Sequence, residues 1–146
     1  MNISQNLLQE IHTFFPAEET DIRSYSPLKL AYLGDAVFEI IIRTIILEKT
    51  GGPVKNLHRR TSEIVNAASQ AALILAIQDS LTEEERKVFR QGRNAKTSSV
   101  ARHADIHDYR NATGLEALFG YLYMTGRSQR AVELLKYGLE QLHIII

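Results

Sequence analysis

The sequence predicts an all-α helical bundle in a single domain. Apolar residues recur every three or four positions along most of the 146 residues, and no long stretch alternates with the period of two that is typical of a strand. Hydrophobic residues make up 45% of the chain and charged residues 23%, an ordinary globular composition. We therefore expect residues 1–146 to form one domain that is large enough to bury a core.

Composition also excludes several classes of protein. The chain has no cysteine, so it has neither a disulfide scaffold nor a thiolate metal site. Its first fifteen residues lack the basic segment and the small-residue cleavage site of a signal peptide, and no apolar run is long enough to span a membrane. A cytoplasmic protein without membrane contact is therefore expected.

The first two helices are indicated by apolar spacing and by helix punctuation. Apolar residues at helical spacing over 3–15 predict the first helix. Ser26 is a suitable N-cap, with Pro27 in the first helical position, and apolar residues then run over 28–47. The Gly-Gly-Pro sequence at 51–53 is expected to end this second helix.

The middle of the chain predicts further helices. Apolar spacing over 54–80 indicates either one long helix or two that abut. Thr82 followed three residues later by Glu85 has the pattern of a capping box, and it should open a helix that runs to about Gln91.

A long polar loop is expected between this helix and the next. The segment 92–110 fits neither the helical nor the strand period, and loops of this length are often functional. A helix is then predicted over 111–125, and a last one, capped by Ser128, should run to about Leu142.

Positive charge is concentrated around this loop although the net charge of the chain is zero. Residues 86–110 hold seven lysines and arginines against two aspartates. Such a segment indicates a nucleic-acid contact that the overall charge conceals. The alternative is a charged surface that only meets solvent.

Two carboxylates stand in otherwise apolar helices beside glycines. Asp35 follows Gly34, and Glu116 lies between Gly114 and Gly120; neither carboxylate has a lysine or arginine three or four residues away. Glycine lets a second backbone approach closely, and an isolated carboxylate near a core needs a positive partner. The pattern therefore favours a shared cation such as Mg²⁺ between the two helices. The alternative is that each acid lies at the solvent edge of its helix.

The motifs around these acids resemble the ribonuclease III family. LAYLGDAVFE at 30–39 is similar to the signature helix of the family, and GLEALFGYLY at 114–123 is similar to its second motif. Three segments resemble the Mini-III branch of the family most closely: SPLKLAYLGDAVFE, RQGRNAK and YRNATGLEALFGYLY. Members of that branch are stand-alone catalytic domains that form homodimers and lack a double-stranded-RNA-binding domain.

The resemblance implies the identity of the site residues. Asp35 and Glu116 match the metal-binding catalytic acids of the family. Leu28, Ala31 and Thr113 stand where typical members carry further acids. The number of metal ions and their remaining ligands are therefore open.

Water, Asp105 or Asp108 could supply the remaining ligands of the metal ion. The implied reaction is hydrolysis of RNA phosphodiesters with Mg²⁺, which Mn²⁺ can replace, leaving 5′-phosphate and 3′-hydroxyl ends. Cutting both strands of a duplex needs two copies of the site, so a homodimer is implied. Tyr32 on the signature helix is the expected interface contact.

The basic segment would then bind the backbone of double-stranded RNA. The expected RNA contacts are Arg93, Asn94, Lys96, Arg102 and His103, extended by Arg59 and Arg60. The resemblance implies maturation of the ends of the 23S ribosomal RNA precursor, with a ribosomal protein as a further partner.

Two other functions remain open. One is a catalytically silent, RNA-binding or ribosome-associated protein of the same fold, which the missing acidic positions favour. The other is a helical interaction module without an RNA partner, which leaves the two isolated carboxylates and the basic segment unexplained.

Overall fold

The computed structural model describes residues 6–18, 21–95 and 105–146, and within these ranges it is helical and contains no strand. The prediction of an all-α fold is therefore confirmed. Short 3₁₀ turns at Ile22–Ser24 and Gln78–Ser80 accompany the α-helices. The seven α-helices are α1 (Leu7–Phe14), α2 (Pro27–Lys49), α3 (Val54–Ile64), α4 (Ala67–Ile77), α5 (Glu83–Arg93), α6 (Ile106–Met124) and α7 (Ser128–Gln141).

Helix α6 lies at the centre of the bundle. It packs against α2, α5, α4 and α7, and its residues 112–122 are buried except for Glu116. A helix that is apolar on nearly every face needs such a surrounding, because no side of it is suited to water. The fold therefore places Glu116 as the single carboxyl group within a buried segment.

Glycines bring α2 and α6 into backbone contact. A Cβ atom on Gly34 would lie 1.6 Å from the carbonyl oxygen of Glu116, and one on Gly120 would lie 2.0 Å from the carbonyl oxygen of Leu30. No side chain can occupy such positions without separating the two helices. The close approach expected from the glycines is confirmed.

The predicted helix starts at Ser26 and Thr82 are confirmed as well. The Ser26 hydroxyl accepts a hydrogen bond from the Lys29 amide at 3.2 Å. At α5 the Thr82 amide donates to Glu85 at 2.9 Å, and the Glu85 amide donates to the Thr82 hydroxyl at 3.1 Å. These caps are local, which is why the sequence alone predicts them.

The region of the predicted loop needs a correction. Helix α5 continues to Arg93, and α6 begins at Ile106 rather than near Asn111, because the Asp105 side chain accepts hydrogen bonds from the first free amides of the helix. Only residues 94–105 lie between the two helices. The prediction of a loop over 92–110 was therefore too long at both ends.

Two smaller boundary predictions also change. The segment 54–80 forms two α-helices that break at Val65 and Asn66, where the Asn66 side chain caps α4. Ser128 is the first residue of α7 and not its cap, because Arg127 precedes the helix and no side chain caps it. Among the described residues, no helix has both the length and the hydropathy required to cross a membrane.

Candidate active site

The contact between α2 and α6 brings the two isolated carboxyl groups together. Gly34 lies against the backbone of Glu116, and the adjacent Asp35 is hydrogen-bonded to the Glu116 side chain. Asp35 is exposed to solvent, whereas Glu116 is half-buried. The pair therefore forms at the edge of the helix contact, with one acid open to solvent and the other recessed.

The recessed position changes the acidity of Glu116. Burial, followed by the hydrogen bond and the negative charge of Asp35, raises the pKa of the Glu116 carboxyl from 4.5 to about 8. In the described part of the chain, no lysine or arginine forms an ion pair with either acid. In the absence of a metal ion, this shift favours the protonated form of Glu116 at neutral pH.

The donor set fits a hard divalent cation. Carboxylate oxygens are the ligands that Mg²⁺ and Mn²⁺ prefer, and Mg²⁺ retains several waters when the protein supplies few ligands. The described residues contain no cluster of three or more histidines, cysteines, aspartates or glutamates that could hold a metal. Asp35 and Glu116 therefore form a two-carboxylate site.

The positions where typical relatives carry acids do not supply substitutes. The Thr113 hydroxyl donates to the carbonyl oxygen of Tyr109 at 3.0 Å, within its own helix. Ala31 is buried and Leu28 is apolar. The side chains of Ala31 and Leu28 have no atom that can bind a metal ion, and the hydroxyl of Thr113 is already hydrogen-bonded.

The suggestion that Asp105 or Asp108 completes the site is wrong. They precede Glu116 on α6 by eleven and eight residues, which is about 16 and 12 Å along a helix at about 1.5 Å per residue. Asp105 instead caps α6, accepting hydrogen bonds from the amides of His107 at 2.7 Å and Asp108 at 3.3 Å. Helix continuity, which the sequence analysis missed here, keeps both acids away from Glu116.

The predicted RNA contacts are only partly within the described residues. Arg93 and Asn94 lie at the end of α5, where the Arg93 guanidinium stacks 5.4 Å from the centre of the Phe89 ring. Lys96, Arg102 and His103 lie outside the described residues.

The two arginines of α3 differ in their surroundings. Arg59 is exposed to solvent. Arg60 forms an ion pair with Glu63 at 2.6 Å and also donates to the carbonyl oxygen of Ile145. The Arg60 guanidinium thus links α3 to the end of the chain, and an RNA contact would have to compete with both partners.

Sequence reasoning missed three polar residues of the site region. His107, Arg110 and Asn111 join Arg93 and Asn94 around a cavity of about 380 Å³ between α5 and α6. The positive charge of Arg110 was visible in the sequence, but the assignment of 92–110 to a loop concealed the helical spacing that aligns these residues.

Tyr32 lies on the exposed face of α2, which also carries the Glu39–Arg43 ion pair. Its side chain is 84% exposed, and Leu28, Ile40 and Leu47 are exposed on the same helix. Isolated apolar residues on a surface are ordinary, but a row of them on one helix indicates a contact surface.

Comparison with known proteins supports the similarity seen in the motifs. Residues 28–127 match the profile of the ribonuclease III domain. The chain is 46% identical over 127 residues to the Mini-ribonuclease 3 of Clostridium tetani, an alignment that covers 84% of each chain. It is 39% identical to the Mini-ribonuclease 3 of Enterococcus faecalis, covering 83% of this chain and 93% of that one.

A solved structure agrees with the fold. A crystal structure of a protein from Fusobacterium nucleatum superimposes with a TM-score of 0.74 at 30% identity. The superposition covers 81% of this chain and 96% of that one.

Proposed function

The chain belongs to the ribonuclease III family and is an endoribonuclease; we propose that it cleaves double-stranded RNA at the Asp35–Glu116 pair. The observation that carries this proposal is the juxtaposition of two carboxyl groups across a glycine-mediated helix contact, one of them with a pKa near 8. Paired acids with perturbed pKa values are typical of functional sites, and a structural role would favour a cationic partner.

Asp35 and Glu116 would hold a divalent cation, Mg²⁺ or Mn²⁺. When bound, such an ion supplies a nucleophile at neutral pH and stabilises negative charge on the phosphate. The protein holds the two carboxyl groups on two helices whose backbones are in close contact, which Gly34 and Gly120 permit because they carry no side chain. Asp35, on the solvent side, is open to a backbone phosphate of RNA, whereas the burial of Glu116 makes its charged form depend on a cation.

The products would carry 5′-phosphate and 3′-hydroxyl ends. The resemblance to the Mini-III branch also supports a physiological substrate, namely the termini of the 23S ribosomal RNA precursor. The same resemblance supports a ribosomal protein as an additional partner and a cytoplasmic location. Arg93 and Asn94 at the end of α5 would bind the RNA backbone, and exposed Arg59 would extend that contact.

A symmetric homodimer would supply the second active site that a double-strand cut requires. The exposed apolar side chains of Leu28, Tyr32, Ile40 and Leu47 on α2 support this assembly, because a second copy that presents the same face would remove them from water. Asp35 lies on this helix, so pairing of two α2 helices would also bring two active sites close together.

A catalytically silent RNA-binding protein of the same fold is the second candidate. It is favoured by Leu28, Ala31 and Thr113, none of which supplies a carboxylate.

Cleavage assays separate the two candidates. Purified protein is incubated with long double-stranded RNA in Mg²⁺ or in chelator, beside Asp35→Asn and Glu116→Gln, which remove a carboxylate at nearly constant volume. We expect the wild type to cut only with the metal, and each variant to bind RNA but to lose cleavage by at least about a hundredfold. Near wild-type cutting by both variants would disprove the proposed site, and RNA binding without cutting by the wild type would favour the silent protein.

A further inference from the structure

A cavity on the opposite flank of α6 from the carboxyl pair has the chemistry of an anion site. It is formed by the last turn of α5 and the first two turns of α6 and encloses about 380 Å³. Among the described residues its lining contains two guanidinium groups, one imidazole, two amides and no carboxylate. The lining residues are Arg93, Asn94, His107, Arg110 and Asn111. Two guanidinium groups that share a concave site repel each other unless an anion lies between them.

The acids near this cavity do not neutralise it. The Asp105 carboxylate is occupied as the cap of α6, and neither Asp105 nor Asp108 lines the cavity. Within residues 6–18, 21–95 and 105–146, no ion pair includes Arg93 or Arg110.

The position of the cavity separates it from the reacting phosphate. A Cβ atom on Gly114 would lie 2.5 Å from the Phe89 ring, so this flank of α6 faces α5. Glu116 lies against Gly34 on the flank that faces α2. Asn111 also precedes Glu116 by five residues, which is about 7.5 Å along the helix axis. A phosphate in the cavity would therefore differ from the one held at Asp35 and Glu116.

We propose that this cavity binds a backbone phosphodiester of the RNA substrate that is distinct from the scissile one. Arg93 and Arg110 would donate to its oxygens in the planar geometry that suits a phosphate, and the Asn94 and Asn111 amides would add neutral donors. The inference rests on the proposed function, because it takes duplex RNA as the ligand. Duplex RNA is recognised chiefly through its phosphates and 2′-hydroxyls, and a second phosphate contact away from the carboxyl pair would fix the orientation of the duplex.

The proposal assigns a role in binding to Arg110, which is exposed to solvent. Arg110→Gln removes the charge without shortening the side chain greatly. Binding is measured in the Glu116→Gln background with chelator, so that no RNA is cut. We expect about tenfold weaker binding to a perfect RNA duplex, and a plot of log affinity against log salt that is shallower by about one unit.

Lys136→Gln is the matched control. Lys136 is exposed on α7, outside the cavity, and its replacement makes the same change in net charge. Its affinity and salt slope should equal those of the parent. Equal losses in the two variants would show that total charge matters and not the cavity, which would overturn the proposal.

Kinetics provide the second readout. With Glu116 intact, Arg110→Gln should raise KM about tenfold and leave kcat near that of the wild type, because the contact lies away from the reacting atoms. Arg110→Lys keeps the positive charge but loses the planar guanidinium. Its KM should therefore lie between the KM of the wild type and that of Arg110→Gln. Circular dichroism verifies that each variant is folded.

The outcomes separate this inference from the proposed function. If the wild type binds but does not cut duplex RNA, the proposed function fails and the binding comparison still tests the cavity. If the wild type cuts and Arg110→Gln matches it in affinity, salt slope and KM, the cavity does not hold a phosphate of the substrate.

Discussion

Replacing Glu116 by glutamine should stabilise the protein in the absence of metal, and by an amount that depends on pH. Glutamine mimics the protonated acid: it is neutral, has nearly the same volume and can still donate a hydrogen bond to Asp35. The native structure raises the pKa of Glu116 to about 8 from an ordinary value of 4.5. The folded wild type must therefore hold a proton that the unfolded chain releases over that interval.

The size of the effect follows from the pKa shift. Between pH 4.5 and 8 the folded state binds more protons at this site than the unfolded state does, so wild-type stability falls as the pH rises. Each pKa unit corresponds to about 1.4 kcal/mol. The loss is close to zero below pH 4.5, about 3 kcal/mol at pH 7 and largest above pH 8, where the acid is ionised in both states.

Urea unfolding in chelator at pH 5, 6, 7 and 8 measures this difference directly. Glu116→Gln should exceed the wild type by less than about 1 kcal/mol at pH 5 and by about 3 kcal/mol at pH 7. Asp35→Asn should show a smaller gain, because burial, the largest cause of the shift, remains. Adding Mg²⁺ should stabilise the wild type and leave Glu116→Gln unchanged.

Glu39→Gln is the control for the removal of a carboxylate from this region. Glu39 pairs with Arg43 on the surface of α2, at 2.9 Å from the Arg43 Nε. Its replacement should change stability by less than about 1 kcal/mol, with no trend between pH 5 and 8. A Glu116→Gln variant that is less stable than the wild type, or that shows no dependence on pH, would refute the account of the carboxyl pair.

Three further predictions test the fold and the assembly. Gly34→Ala should destabilise the protein by about 3 kcal/mol or more in urea unfolding, because its Cβ would lie 1.6 Å from the Glu116 carbonyl oxygen. Its control, Gly51→Ala, should be nearly neutral, because a Cβ there would have no atom within 4 Å. Tyr32→Asp should convert a homodimer into a monomer in sedimentation and reduce double-strand cutting; a wild type that is monomeric at micromolar concentration and fully active would contradict the dimer. Arg130→Met should cost about 3 kcal/mol at neutral pH, because it removes the bidentate partner, at 2.9 Å, of the buried Glu85 carboxylate. Burial alone would raise the pKa of Glu85, but the hydrogen bonds from Arg130 and Thr82 lower it below 4.5. The cost of Arg130→Met should therefore shrink as acid protonates Glu85. A cost that is constant down to pH 3 would exclude the ion pair as its source.

The sequence by itself determined the fold class, the family and most of the helix starts. Helical periodicity is a property of neighbouring residues, and the caps at Ser26 and Thr82 are satisfied within three residues of themselves. The motifs around Asp35 and Glu116 likewise lie within single helices, so their resemblance to the ribonuclease III family needs no knowledge of the packing. The start of α6 was missed, although it is equally local, because the Asp105 cap stands in a basic, polar segment where apolar spacing is weak.

Only the tertiary structure decided which of these groups meet. Asp35 and Glu116 are 81 residues apart in the chain, and their hydrogen bond depends on the interhelical contact that Gly34 and Gly120 allow. The continuity of α6 excluded Asp105 from the carboxyl pair. The packing of α5 on α6 grouped Arg93 with Arg110 around the cavity. Distance along the chain does not report such contacts: a helix carries residues eight positions apart about 12 Å from each other, whereas packing brings residues of different helices within hydrogen-bonding distance.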